Sequence, residues 1–486
     1  MRLSELLREV EFEGSIKNDF DIKFVTDDSR LVRPGTLFVC IRHRSFDGHT
    51  AATEALALGA AAVVTQERLG LENELNVADS RAAYARLCAA LCGHPERKLR
   101  MIGVTGTNGK TTVTTLIRNI LSDSGIKTLL TGTVCNRLGE ESLPSGLTTP
   151  KPPELYSLLS RAVLSGCEAC VAEASSQALA QGRLEGIAFD AAVFTNITRD
   201  HLDYHGTFEN YLAAKKKLFE HSEVSTVNLD DPRADEIIAA SSGKTVTFST
   251  VLDCADYTAK NISLLPEGVS FELVSKGRIE HINFASPGLF SVSNAMAAAV
   301  CAINLGVDPR SAAQSLARSK GVCGRLERVE CGTPYSVIID YAHTPDGLEQ
   351  VLRALRPSCR GKLIVLFGCG GDRDKTKRPL MGAAACKYAD TVIVTSDNPR
   401  SEEPMKIIGD ILKGTDKKRR GLFVEEDRRR ATALALSLAK PGDTVLLAGK
   451  GHEKYQLICG EKLPLDERET VREILGLPHD TGRKKP

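Results

Sequence analysis

Residues 99–121 read LRMIGVTGTNGKTTVTTLIRNIL, and this stretch decides what kind of fold holds it. An apolar strand, 99–104, runs into the loop Gly106-Thr107-Asn108-Gly109-Lys110-Thr111-Thr112, and the helix-periodic residues 113–121 follow at once. Strand, glycine loop and helix in this order predict one unit of an α/β sheet with the loop at the helix N-terminus. Backbone N–H groups can converge there on phosphate oxygens, Lys110 can bridge phosphates and Thr111 can ligate magnesium. The stretch therefore predicts a nucleoside triphosphate site. Strict Walker spacing asks for glycine where Val104 stands, so the loop is a variant.

Outward from the loop the same rhythm continues. Apolar runs at 169–172, 191–195 and 226–229 predict further strands of a mostly parallel sheet, and 243–285 switches to short alternating strands, an antiparallel flap, before a helix near 294–305. Upstream, short strands at 36–41 and 61–65 alternate with helical runs at 51–58 and 82–92, and the polar break 93–98 marks a boundary. Downstream, continuous apolar strands at 336–339, 362–367, 391–395 and 444–448 alternate with helices such as 404–412 and 430–438, as in a sheet covered on both faces. No GxGxxG occurs in that last part, so its Rossmann-like rhythm carries no dinucleotide motif. The expected architecture is α/β in three domains: 1–98, a central P-loop domain 99–322 and a C-terminal Rossmann-like α/β domain 323–486. Residues 481–486 are expected to fray.

Composition agrees with this division. A chain of 486 residues has room for three domains at roughly 150 residues each. Lys and Arg number 63 against 62 Asp and Glu, which leaves no global field to recruit nucleic acid or an anionic membrane, so any anion must be held locally. The fourteen cysteines are scattered, and the pair Cys167 and Cys170 lacks a second pair at zinc-ligand spacing. Reduced, structural thiols are expected. No signal-peptide core and no apolar run of membrane-spanning length is present, so a cytoplasmic location is expected. A monomer working on small molecules is expected as well.

The form Gly-Thr-Asn-Gly-Lys-Thr-Thr resembles that of the Mur ligases and folylpolyglutamate synthases, ATP-dependent carboxylate–amine ligases. The Mur ligase resemblance runs through nearly the whole chain. It implies that Gly106, Thr107, Asn108, Gly109, Lys110, Thr111, Thr112, Asn294, Arg325 and Asp340 bind ATP. It further implies that Glu173, at the end of strand 169–172, and His201, in Asp200-His201-Leu202-Asp203, join Thr111 as magnesium ligands. Residues 214–219, Ala-Lys-Lys-Lys-Leu-Phe, read locally as the basic face of a helix. The resemblance instead makes Lys215 an N6-carboxylysine whose carbamate holds a second magnesium, and it makes Lys110, Lys215, His201 and Glu173 catalytic. At the family's Asn-x-x-Asn pair this chain has Ser291 and Asn294.

The same resemblance implies the substrates. Asp28-Ser29-Arg30 and Asp47-Gly48 are similar to the uridine-binding region of tripeptide-forming members. Ser29, Thr148, Thr149, Ser175, Gln181 and Arg183 would then hold a UDP-N-acetylmuramoyl dipeptide. The tetrad Asp397-Asn398-Pro399-Arg400 resembles that of members that add meso-diaminopimelate rather than lysine. An arginine at a strand's carboxyl end can clamp a carboxylate, which a lysine side chain lacks. Arg373, Gly449 and Glu453, from Gly368-Cys369-Gly370-Gly371-Asp372-Arg373 and Gly449-Lys450-Gly451-His452-Glu453, are placed in the same pocket, Glu453 for an ammonium. Two readings compete. Folylpolyglutamate synthases share the phosphate loop but not the uridine segment or the tetrad, and a non-enzymatic P-loop module would be expected to lose Lys110, Glu173 or Lys215, all of which are present.

Overall fold

The computed structural model describes residues 1–43, 46–265, 267–319, 321–416 and 419–478. The tail 481–486 lies outside the described residues. The chain divides into two compact units: residues 1–197, 204–247 and 300–307 form one, and residues 198–203, 248–299 and 308–486 the other.

In the first unit, Phe24–Thr26, Thr36–Val39, Ala60–Thr65 and Glu74–Asn76 lie side by side in that order as a parallel sheet. Its strands are alanine-, valine- and leucine-rich because both faces are covered. The helix Ser80–Leu91 starts at Asp79, whose carboxylate accepts from the N–H groups of Arg81 and Ala82. The phosphate-loop strand, Arg100–Thr105, is the middle of a second parallel array that runs Ser222–Asn228, Phe189–Phe194, Arg100–Thr105, Ala169–Glu173, Thr128–Thr131. Asn136–Leu138 and Glu141–Leu143 extend its far edge antiparallel. The sequence misses this two-strand extension because its short polar strands carry no apolar run. The carboxyl ends of the central strands deliver Gly106, Glu173 and Thr195 to one rim, where ligands of open α/β sheets bind.

The second unit holds the antiparallel flap, Tyr257–Leu265, Gly268–Ser275 and Arg278–Phe284 in sequence order, within the expected 243–285. It also holds a six-stranded sheet ordered Glu327–Arg328, Ser336–Asp340, Thr444–Ala448, Leu363–Phe367, Thr391–Val394, Leu422–Val424, parallel except at its first pair. Strands of the interior are wholly buried, which is why they read as unbroken apolar runs. All fourteen cysteines are free thiols, Cys167 and Cys170 buried among them, as their apolar surroundings lead one to expect.

Polar caps fix where the helices of this unit begin. The helix Pro309–Arg318 opens with proline at its first position behind Asp308, whose Oδ2 accepts from the N–H of Ser311 at 3.0 Å. Asp308→Ala is expected to lower unfolding stability by about 1 kcal/mol, measured as a shift of the urea midpoint.

Candidate active site

The phosphate loop is built from its own strand and its neighbour. Thr107 N–H donates to Asn196 O at 2.8 Å and Asn108 N–H to Asn196 Oδ1 at 3.0 Å. The Thr195 hydroxyl and the Asn196 amide both donate to Asn108 O, at 2.6 and 3.1 Å. A side chain at Gly106 would have its Cβ 1.9 Å from Thr195 Oγ1, so glycine is the residue that lets the two strand ends close on each other. Lys110 begins the helix Lys110–Asp123, and its Nζ donates to Gly106 O and Thr107 O at 2.8 and 2.9 Å, held over the loop. Lys215, on the helix Phe208–Lys216, reaches the same carbonyl: Nζ donates to Gly106 O at 2.8 Å, and the side chain is 1% exposed. The local reading of 214–219 as a solvated basic face is therefore corrected at Lys215, which the helix turns inward against the Tyr211 ring, 4.6 Å from its centroid.

Glu173 joins this loop to the residues expected to bind substrate. It ends the strand Ala169–Glu173, is 1% exposed, and accepts from the hydroxyls of Thr111 at 3.1 Å and Thr133 at 2.9 Å and from Thr133 N–H at 2.8 Å. Its backbone carbonyl accepts from Thr149 Oγ1 at 2.6 Å, and that oxygen accepts from Ser175 N–H at 3.0 Å. The Thr133 and Thr148 hydroxyl oxygens lie 3.0 Å apart. Arg183 donates to Thr149 O and, through two nitrogens, to Gln181 Oε1, while the Gln181 amide donates to Tyr204 Oη. Burial pulls the Arg183 guanidinium below its ordinary pKa. Thr111, Glu173, Thr148, Thr149, Ser175, Gln181 and Arg183 thus form one continuous polar path. Sequence reasoning missed Thr133, Asn196 and Tyr204. Asn196 immediately follows the strand Phe189–Phe194 and Thr195, a position that could have flagged it.

A hydroxyl and a carboxylate in contact at the loop are the hard oxygen donors that magnesium prefers. Among the described residues, no three of His, Cys, Asp or Glu gather to hold a metal ion by themselves. A cation whose shell is completed by phosphate oxygens and water fits such a donor set.

Also in the first unit, Ser29 is half-buried and begins the single turn Ser29–Leu31, capped by Asp28. Arg30 pairs with Asp28, whose carboxyl is held down to about 2 by that guanidinium, and Asp47 is lowered to about 2 chiefly by His49. The sequence passed over Asp27. It is buried, and its carboxylate meets Lys151 Nζ at 3.1 Å, the Tyr84 hydroxyl at 3.2 Å and His43 Nε2 at 3.3 Å.

The remaining residues expected to bind ATP or its metal belong to the second unit. His201 adopts a left-handed backbone, φ +52°, and its N–H donates to Asp200 Oδ1. Asn294 is buried on the helix Leu289–Asn304. Asp340 ends its strand fully buried, accepting from the N–H groups of Leu326 and Ala342 at 2.7 Å each, with its carboxyl pushed up by burial against the opposing pull of Arg325. The Arg325 guanidinium lies 4.8 Å from the Tyr341 ring centroid. Burial keeps His343 and His452 neutral, each lowered to about 4.

At the other strand ends of this sheet the tetrad forms a braced loop. Asn398 Nδ2 donates to Glu453 Oε2 at 2.9 Å, and Asn398 Oδ1 accepts from Lys450 Nζ at 2.7 Å and from Leu457 N–H at 2.9 Å. Lys450 Nζ also donates to Glu453 Oε2 at 2.7 Å and lies 3.8 Å from Asp397 Oδ1. Pro399 O would be 1.9 Å from a Cβ at Gly371, which is why the facing loop carries glycine there. Arg400 has φ +54°, and its Nη1 donates to Gly371 O at 2.6 Å. Gly449 N–H donates to Asp340 O, and Arg373 is exposed on the loop after Phe367. Beneath, the wholly buried Arg428 donates to Ser396 O at 3.2 Å and Ala448 O at 2.8 Å and pairs with Glu467 at 2.8 Å. Arg378, also buried, pairs with Glu402 and Asp410 and donates to Gly370 O. The sequence missed Lys450, Arg428 and Arg378, since charged residues in these patterns read as surface.

No helix among the described residues is long and apolar enough to cross a membrane. Residues 21–89 match the Mur ligase family catalytic domain, 104–302 the Mur ligase middle domain and 324–451 the Mur ligase glutamate ligase domain. The UDP-N-acetylmuramoyl-L-alanyl-D-glutamate–2,6-diaminopimelate ligase of Syntrophomonas wolfei is 42% identical over 98% of this chain and 99% of its own. The ligase of the same name from Caldanaerobacter subterraneus is 44% identical over the same shares. A solved structure of a ligase of that name superposes with a TM-score of 0.71 at 35% identity, over 98% of this chain and 99% of its own. MurF of Thermotoga maritima, solved with ADP, shares the fold alone, with a TM-score of 0.61 at 20% identity over 94% of this chain and 97% of its own. With relatives this similar along its whole length, the chain belongs to the Mur ligase family.

Proposed function

We propose that this chain joins meso-diaminopimelate to UDP-N-acetylmuramoyl-L-alanyl-D-glutamate, with ATP converted to ADP and phosphate, in cytoplasmic peptidoglycan precursor synthesis. The observation that carries the amino-acid choice is the braced tetrad. Arg400 is fixed by Gly371 beside Asp397, Asn398 and Glu453, so a carboxylate-binding group and ammonium-binding groups share one pocket. An amino acid with a second zwitterionic end suits that pairing, and L-lysine, which ends in an ammonium alone, leaves the arginine unmatched. The names of the relatives at 42% and 44% identity support the same reading.

The proposed division of labour follows three domains, 1–98, 99–322 and 323–486, which the three family matches support. Ser29 and the path from Thr148 to Arg183 hold the UDP-dipeptide, with its terminal carboxylate directed to the phosphate loop. Gly106 to Thr112 hold the phosphates of ATP, and Asn294, Arg325 and Asp340 are proposed as nucleotide contacts on the family resemblance alone. Thr111, Glu173 and His201, with Lys215 as its carbamate, would hold magnesium, which would supply positive charge against the phosphates. Lys110 draws charge from the phosphoryl group as it passes to the dipeptide carboxylate, giving an acyl phosphate. Arg373, the tetrad, Gly449 and Glu453 then present the amine, which attacks the acyl carbon and displaces phosphate. A monomer acting on small molecules, without nucleic acid or membrane, completes the reading.

Phosphate release with ATP, magnesium and the UDP-dipeptide tests it. Diaminopimelate is expected to be the preferred acceptor over L-lysine and L-ornithine, and lysine turnover equal to or faster than that of diaminopimelate would refute the specificity.

A further inference from the structure

Lys450 is a buried charged group in the second unit that the reaction scheme leaves without a task. It follows the strand Thr444–Ala448 and is 0% exposed, so it cannot itself meet a ligand. A buried ammonium is costly to desolvate, and a hydrophobic residue of similar volume would often serve stability as well or better. Its partners instead gather around the pocket. Nζ donates to Glu453 Oε2 and Asn398 Oδ1, both at 2.7 Å, lies 3.8 Å from Asp397 Oδ1 and sits over the Tyr455 ring at 5.5 Å. With Asn398 Oδ1 accepting from Lys450 and Leu457 N–H, the amide NH₂ is left pointing at Glu453. Two carboxylates against one ammonium leave a net charge of −1 around this cluster, the complement of one incoming ammonium.

We propose that Lys450 is a positioning residue of the amino-acid pocket, whose ammonium locks Glu453 and Asn398 in the orientation that receives the substrate's ammonium beside Arg400. This rests on the function proposed above. Without the lysine, Glu453 loses one of two donors to the same oxygen, and Asp397 and Glu453 face each other uncompensated. Lost orientation outweighs the more negative charge, because binding needs the carboxylates aimed as well as charged.

The test is a double-mutant cycle on the full-length protein, read by phosphate release. Lys450→Met is expected to raise the diaminopimelate KM roughly tenfold or more, with the ATP KM and kcat within about twofold of the parent, as for loss of a charge-assisted hydrogen bond that orients groups used only by that substrate. In a Glu453→Gln background the same change should cost less than about threefold more, since the group it acts through is already altered. An unchanged or lower diaminopimelate KM, parallel rises for ATP and diaminopimelate, or independent multiplication of the two effects overturns the proposal. Lys450→Gln, which keeps a donor without the charge, is expected to behave as Lys450→Met does and keeps the test open if the methionine variant does not fold. A parent protein inactive with diaminopimelate refutes the function itself. An active parent with an indifferent Lys450→Met refutes only the positioning role.

Discussion

Lys215→Ala is expected to lower phosphate release by about a thousandfold or more, because in the proposed mechanism the change removes a metal-holding carboxylate and not a surface charge. The side chain is buried against the phosphate loop with its nitrogen on Gly106 O. An ammonium kept out of water at that position is expensive. Attack of the neutral amine on carbon dioxide, with loss of a proton, replaces it with a carbamate suited to magnesium. Added formate or acetate should recover measurable turnover in the alanine variant by restoring a carboxylate to the space. Full activity without rescue would make Lys215 a packing residue. Mass measurement of the intact protein would not settle the matter, since carbamates dissociate on acidification, whereas rescue reads the carboxylate in place.

Arg400→Ala carries the second large effect. A bidentate, charge-assisted clamp is worth enough that the diaminopimelate KM should rise roughly a hundredfold while the ATP KM stays within about twofold. The advantage of diaminopimelate over L-lysine should shrink with it, because lysine never used the clamp. Steady-state phosphate release with each amino acid measures both numbers. Equal rises for ATP and diaminopimelate would move Arg400 out of the amino-acid pocket. Its left-handed backbone and its contact to Gly371 O show why the neighbouring glycines and Pro399 belong to the motif: they set the guanidinium plane before any ligand arrives.

The phosphate loop and the parallel strands were legible because each depends on short-range pattern. Glycine spacing, an apolar run and a helical period all lie within residues 99–121. The flap was legible for the same reason, through its two-residue alternation. What escaped depends on partners distant in sequence. Thr133 and Glu173 are 40 residues apart, Lys450 and Asn398 52, and Arg428 and Glu467 39. Each reads locally as an ordinary polar residue, and only the meeting of strand ends makes it a bonded pair. Lys215 shows the limit of a purely local reading: three adjacent lysines look solvated, the family resemblance alone singles out the first, and helical phase buries it.

Arg428 has a consequence for redesigning the amino-acid preference. The segments carrying Asp397 to Arg400 and Gly449 to Glu453 both hang by a backbone carbonyl from this one guanidinium, which is itself anchored to Glu467. The gap between those two segments is therefore set in part from the core, beneath the direct bonds that Asn398 makes across it to Lys450 and Glu453. Exchanging the tetrad for one borrowed from a lysine-adding relative cuts those direct bonds but leaves the Arg428 anchor in place. A graft that also needs the two segments reset must change the helix beginning at Arg428 as well as the residues that face the gap.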